Sequence, residues 1–221
     1  MAWDSNWESI FSTRPWGKYP GEDVIRFVAR NFYKSPDRSA IKLLEVGCGT
    51  GANIWYMARE GFSVFGVDGS KTAVSLCEQR LSEEVSGWSG EIVQGDILNL
   101  PFEDGTFDGV LDVEAISCNA FEDSVQIYRE MARVLKPHGK LYTRCFATGT
   151  HGEGTGKQVG YRGSYPDEGP MAGMGFLRLT AKGDLPNLLA PFTIDEVDLI
   201  VRGETMNEPI REWCVTATKT Q

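Results

Sequence analysis

Leu43-Leu44-Glu45-Val46-Gly47-Cys48-Gly49-Thr50-Gly51, running into Ala52-Asn53-Ile54-Trp55, is the stretch whose reading decides the fold. An apolar run that breaks into alternating glycines and resumes at helical spacing is a strand, a tight turn and the start of a helix. Glycine permits positive φ and lets a ligand approach the backbone, and the exposed N–H groups of a helix start favour an electron-rich group. Dinucleotide-binding sheets use G-x-G-x-x-G at this turn. Here Gly47, Gly49 and Gly51 alternate behind an acidic residue, which disfavours a nicotinamide cofactor.

Outward from this turn, apolar segments switch repeatedly between strand and helix character. Residues 22–32 place Val24, Ile25, Val28 and Phe32 at helical spacing, and Ser35-Pro36-Asp37 ends the run. Strands are predicted at 42–46, 63–67, 91–94, 107–112 and 140–146, with helices over 53–60, 71 to about 85 and 124 to about 135. Ser124 suits the N-cap of the last helix, and Pro137 and Gly139 end it. The alternation predicts a Rossmann-like, doubly wound α/β fold: a mostly parallel seven-stranded sheet in a three-layer α/β/α arrangement. Residues 194–201 and 210–218 alternate like paired strands about a turn near Asn207 and Pro209, closing the sheet with an antiparallel edge. Ahead of them, 148–175 is too rich in glycine for an ordinary helix or central strand and reads as a long functional loop. The expected organisation is one domain over 1–221, with a helical cap (1–34), a cofactor-binding core (41–146), a glycine-rich excursion on the acceptor side (147–178) and C-terminal strands (179–221).

The chain has 221 residues, 41% of them hydrophobic, enough for one substantial core without disulfides or a structural metal. A formal net charge of -9 argues against a surface that neutralises nucleic-acid phosphates or anionic lipid, so a small-molecule acceptor is expected as partner, with no nucleic acid and no membrane. Cys48, Cys77, Cys118, Cys145 and Cys214 are scattered and contain no C-x-x-C, so neither a disulfide framework nor a metal site is predicted. The leader MAWDSNWESIF has no basic flank before an apolar run, and no apolar stretch is long enough to span a bilayer. A cytoplasmic location is the resulting expectation, and nothing in the pattern sets an oligomeric state.

Residues 44–51 resemble the first motif of class I S-adenosylmethionine-dependent methyltransferases, and the run 43–141 resembles their type 11 methyltransferase domain. The resemblance implies S-adenosyl-L-methionine as cofactor and S-adenosyl-L-homocysteine as product, with Glu45, Gly47, Cys48, Gly49 and Gly51 against the methyl donor. Asp68 matches the family's ribose-binding acid, followed by Gly69, although Asp68-Gly-Ser also suits a helix cap. Gly95-Asp96-Ile97 resembles the adenine-side motif, in which Asp96 accepts from the adenine amino group and Ile97 packs on the ring. Residues 107–112 resemble the fourth strand, which brings Asp112 and Glu114 to the cleft at the carboxyl ends of the strands. The amino-methyltransferase signature [DNS]-P-P-[YF] is absent there, since Asp112-Val-Glu-Ala115 stands in its place, which weakens a base-modifying reading. Residues 133–139 resemble the turn into the fifth strand, with His138 structural and exposed.

Segments outside the matched core are the candidates for the acceptor. Trp3, Trp7, Ile10 and Phe11 form a helical stripe, and Trp16 and Tyr19 follow in a possible lid; core packing is the other reading of this leader. Tyr161, Arg162 and Tyr165 of the excursion suit an acceptor with negative or hydroxyl groups. His151, just past the fifth strand, is the candidate catalytic base for a hydroxyl acceptor. Alignment of the attacking atom behind the methyl supplies roughly 7 to 11 kcal/mol, whereas a base adds roughly 3 to 5, so methyl transfer does not require one. The expected function is methyl transfer by direct displacement to an oxygen or nitrogen of a small molecule. A noncatalytic module that binds the cofactor for a partner enzyme is an alternative, and an NAD-dependent oxidoreductase a more remote one.

Overall fold

The computed structural model describes residues 3–220; Met1, Ala2 and Gln221 lie outside the described residues. Its elements are α1 (Asn6–Thr13), α2 (Glu22–Phe32), β1 (Lys42–Val46), α3 (Ala52–Arg59), β2 (Ser63–Asp68), α4 (Lys71–Glu84), β3 (Ser89–Gln94), β4 (Phe107–Val113), α5 (Phe121–Val134) and β5 (Leu135–Phe146). Beyond these come β6 (Lys157–Val159), β7 (Gly163–Tyr165), β8 (Leu177–Arg178), α6 (Leu185–Leu188), β9 (Phe192–Arg202) and β10 (Ile210–Lys219). The main sheet has seven strands in the order β3-β2-β1-β4-β5-β10-β9. The first five are mutually parallel, and β10 runs antiparallel to both of its neighbours. The antiparallel pair closes the sheet as the alternation predicts, with β9 outermost.

Neighbouring residues of β1 show why the sheet carries helices on both faces. Leu44 and Val46 join a core with Ile127, Tyr128 and Met131 of α5 and Leu185 of α6. Leu43 joins the opposite core with Val24 and Phe27 of α2, Ile54 and Met57 of α3, and Leu81 of α4. Successive strand side chains point to opposite faces, and Leu43 and Leu44 are both fully buried, so the strand reads as an apolar run rather than an alternation.

Two local expectations are corrected. Ser124 does not cap α5: the helix starts three residues earlier, and its hydroxyl donates back to Ala120 O at 2.8 Å. The glycine-rich excursion is not a continuous loop, because β6, β7 and β8 form a small antiparallel sheet of their own. Glycines at positive φ, such as Gly156 and Gly160, make the tight reversals around these short strands. His138 is exposed, as expected, at φ 61° beside Gly139.

Candidate active site

The glycine turn lies at the carboxyl end of β1, where Gly47 N–H and Cys48 N–H both donate to Val67 O of β2, at 2.7 and 3.1 Å. Gly47, Gly49 and Gly51 have φ of 65°, 51° and 82°, so all three use the left-handed region that other residues avoid. Packing closes two of these positions to any side chain. A Cβ on Gly47 would stand 2.2 Å from Ala115 Cβ, and one on Gly51 would stand 2.3 Å from Cys77 Sγ. The turn thereby edges a cavity of about 450 Å³ above the carboxyl ends of the central strands, the crevice in which open α/β sheets bind ligands.

Asp68, at the end of β2, closes the turn. Its Oδ2 accepts from Gly49 N–H and its Oδ1 from Ser70 N–H, each at 2.8 Å, while burial raises its pKa above the usual carboxylate value. The same acid therefore faces the cavity and fixes the loop. Ser70 caps α4 by accepting from Ala73 N–H, so the capping hydroxyl belongs to Ser70. Gly69 carries the indole of Trp3 directly against it: a Cβ there would lie 2.1 Å from Trp3 Cδ1. Gly95 and Ile97 also line the cavity. Asp96 does not line it, and accepts from Leu98 N–H at 3.0 Å.

Glu45 is 2% exposed, and Asn53 Nδ2 donates to its Oε1 at 2.5 Å. Its Oε2 is buried without a partner, and burial pushes its pKa up to about 8. An orphaned carboxyl oxygen in a cavity wall is an acceptor set for a donor from outside the chain. Asp112, by contrast, is fully buried and does not line the cavity. Its Oδ2 accepts from Thr143 Oγ1 at 2.6 Å and its Oδ1 from Ile116 N–H at 3.0 Å, tying β4 to β5 and to the following turn. The expectation that Asp112 borders the methyl donor is corrected accordingly. Burial raises it to about 6, against the lowering effect of the Thr143 bond.

Glu114 does reach the cavity, because β4 ends at Val113 and the next residue swings to φ 69°. Its Oε1 accepts from Arg144 at 2.7 Å. Arg144, from β5, also lies 3.4 Å from Asp23 of α2 and 3.1 Å from Glu212 of β10, and Arg202 of β9 pairs with Glu212 on its other side. Nothing in the sequence singled out Arg144, Arg202 or Glu212, since strands far apart in the chain bring them together.

The opposite wall comes from the leader. Trp7, Phe11 and Trp16 form a ring cluster with centroids 5.4 to 5.7 Å apart, and Tyr19 joins them in lining the cavity. Glu8 anchors this cap, accepting from Ser70 Oγ at 2.6 Å and Thr72 Oγ1 at 2.5 Å at the start of α4. The excursion contributes Pro170, Met171 and Met174 rather than the residues read as its clamp. Tyr161 donates to Asp184 at 2.9 Å and Arg162 lies 3.6 Å from the same carboxylate, and neither they nor Tyr165 line the cavity. His151 also stands outside it, with its ring 3.7 Å from Glu168 and its N–H donating to Pro209 O at 2.6 Å. These four are corrected as cavity residues: Tyr161 and Arg162 tie the excursion to Asp184 beyond it, and His151 N–H ties it to Pro209. Among the described residues no metal-binding cluster occurs, and no helix is long and apolar enough to cross a membrane.

Residues 44–143 match the family model of a methyltransferase domain. The chain is 33% identical over 132 residues to norajmaline N-methyltransferase of Rauvolfia serpentina, covering 57% of this chain and 42% of that protein. It is 38% identical over 105 residues to a phthiotriol/phenolphthiotriol dimycocerosates methyltransferase of Mycobacterium ulcerans, covering 47% and 36%. The chain thus spans less than half the length of these two curated relatives. Its fold superposes on a SAM-dependent methyltransferase of Methanosarcina mazei with a TM-score of 0.65 at 21% identity, over 81% of this chain and 92% of that one. Strand order, glycine turn and family match together make residues 44–143 similar to a methyltransferase domain, on the fold that S-adenosylmethionine-dependent methyltransferases also have.

Proposed function

We propose that the protein binds S-adenosyl-L-methionine in this cavity and transfers its methyl group to a nitrogen or oxygen of a small molecule. The observation that carries the reading is the cradle at the end of β1: three left-handed glycines, a buried carboxyl oxygen of Glu45 without a partner, and Asp68 at the neighbouring strand end. A nucleoside with a charged amino-acid tail fits these groups. Asp68 suits the ribose hydroxyls, Gly69 and Ile97 the base, and Gly47, Cys48 and Gly49 the close approach of the tail. Glu45 Oε2 suits the tail's ammonium, which offers the missing donor. Gly51 acts from beneath, starting α3.

The bound cofactor supplies a methyl group already activated on a sulfonium. The chain has to align an acceptor behind that methyl and keep water away. Positioning of this kind is worth about 7 to 11 kcal/mol, more than a proton-transfer group adds. The leader rings, Met171 and Met174 enclose the acceptor end, and the Glu8 anchor holds the cap down on α4. Trp16 and Tyr19 are the acceptor-side residues that support the cap reading. The five free cysteines suit the reducing cytoplasm, where we place the reaction.

Calorimetric titration with S-adenosylmethionine, S-adenosylhomocysteine and NAD, on the protein and on Asp68→Ala, tests the proposal. Saturable binding of both sulfur nucleosides, lost in the variant, is the expected result. Binding of NAD alone would overturn it.

A further inference from the structure

The acceptor end of the cavity has an uneven charge balance. Arg144 and Arg202 are the cationic side chains that line it among the described residues, and both are committed to carboxylates of the chain. Arg144 alone meets Asp23, Glu114 and Glu212, and Asp4 adds a further carboxyl group to the wall. Two guanidinium groups thus face four carboxyl groups, and an anionic acceptor finds no uncommitted cation. The apolar part of the same cavity is aromatic. Trp7, Phe11 and Trp16 present ring faces and edges, and indole faces attract cations.

Glu114 and Glu212 differ in exposure: the side chain of Glu114 is 34% exposed and that of Glu212 is 2% exposed, so the first meets an incoming ligand and the second backs it. Glu114 holds a left-handed conformation costly for a residue with a side chain, at the residue where the strand gives way to the cavity. Strain of that sort collects at functional sites. Burial first, and then the neighbouring Glu114, raises the pKa of Glu212 above the usual carboxylate range, a setting suited to exchanging protons near neutrality.

Resting on the methyltransferase reading, we infer that the acceptor is an amine, bound as its ammonium ion in the cavity that the Glu114–Glu212 pair shares with the Trp7, Phe11 and Trp16 rings, and that this pair takes the proton released before nitrogen attacks. One N–H bond breaks, its proton passes to the carboxyl pair, and its electron pair stays on nitrogen as the lone pair. Nitrogen then bonds to the methyl carbon as the carbon–sulfur bond breaks, and that bond's electrons go to sulfur, leaving a neutral thioether and a methylated ammonium. Arg144 is a positioning residue that orients both carboxylates.

The test is direct binding without methyl transfer. Tryptophan fluorescence is followed while N-methylbenzylamine, benzyl alcohol and phenylacetate are titrated into the protein saturated with S-adenosylhomocysteine. The amine is expected to bind at least about tenfold more tightly than the other two. Glu212→Gln is expected to weaken the amine about tenfold while changing S-adenosylhomocysteine affinity less than about threefold. Amine affinity is expected to fall as pH drops below neutral and the pair protonates. The groups facing that pair are Arg144 on β5, Arg202 on β9 and Asp23 on α2, with Tyr142 and Cys214 behind them. If Glu212→Gln does not fold, Glu114→Gln, altering the more exposed member, carries the same comparison of amine with alcohol. Equal binding of phenylacetate or benzyl alcohol, no binding of any probe, or full amine affinity in the folded variant would overturn the inference. Failure of S-adenosylhomocysteine itself to bind would instead remove the reading beneath it, and this inference with it.

Discussion

Replacing Gly47 with alanine separates two strains that meet at one atom. The residue sits at φ 65°, where an added Cβ costs roughly 1 to 2 kcal/mol. That Cβ would also lie 2.2 Å from Ala115 Cβ, far inside any real contact, and neither methyl has a rotamer to escape through. The turn after β4 must then shift by more than an ångström, an overpacking that typically costs about 1 to 3 kcal/mol. The single variant should therefore lose about 2 to 5 kcal/mol of stability, read from urea unfolding, and weaken S-adenosylhomocysteine because the added methyl displaces the turn proposed to meet its amino-acid tail. Gly47→Ala combined with Ala115→Gly makes the reasoning refutable. With the opposing methyl gone, the next atom is Ala115 Cα at 3.7 Å, an ordinary contact. Only the left-handed strain remains, plus up to about 1 kcal/mol for a new glycine in a helical turn. The double variant should be the more stable of the two. A single variant within about 0.5 kcal/mol of the parent, or a double variant no better than the single, would refute the account.

Two further outcomes follow from charges. Glu45 is raised from 4.5 to about 8, so between those values the folded chain keeps a proton that the unfolded chain has released. The Glu45 contribution to stability should be fullest below about pH 4.5 and decline towards pH 8, by up to about 1.4 kcal/mol per pH unit, and urea midpoints of Glu45→Gln should show a flatter profile over that range. The pKa of Glu8 is lowered by the Ser70 and Thr72 hydroxyls, so its anchoring of α1 is present above the ordinary carboxylate value and is lost as pH falls through the lowered one. Glu8→Ala should speed hydrogen exchange in α1 while leaving β1 and β4 unchanged; equal exchange in the two proteins would show that the cap is held by its rings alone.

The parallel part of the sheet was legible because each strand is an apolar run bounded by glycine, proline or polar residues, and the glycine turn announced the edge on which the cavity opens. Local pattern cannot report where a side chain goes once regular structure stops. Asp112 and Glu114 look alike in the sequence, yet the strand continues through one and ends before the other. The first is buried under Thr143 and the second turns to the cavity through a left-handed residue that no propensity favours. Glu212 was illegible for a different reason: it reaches Arg144 only because β10 enters the sheet beside β5, a pairing across 68 positions. His151, Tyr161 and Arg162 misled because polar residues in a glycine-rich stretch resemble a binding loop, whereas here Glu168 is the partner of the first and Asp184 of the other two, all outside the cavity. Of the predicted leader stripe, Trp7, Ile10 and Phe11 fall on α1 and Trp3 precedes it; the rings of Trp3, Trp7 and Phe11 line the cavity, but the Glu8 anchor has no local sequence signal.

The place of β10 between β5 and β9 also sets an order of events on the ribosome. Synthesis is vectorial, so β9 leaves the exit tunnel before the strand that must separate it from β5. Until β10 follows, β5 is an open edge, and β9 can reach it only in a pairing that would later have to be undone. The glycine cradle and Asp68 can assemble in the nascent chain well before that point, whereas Glu212 arrives only with β10. A nascent chain stalled after β9 should hold the glycine cradle of the cavity and lack the wall that Glu212 completes.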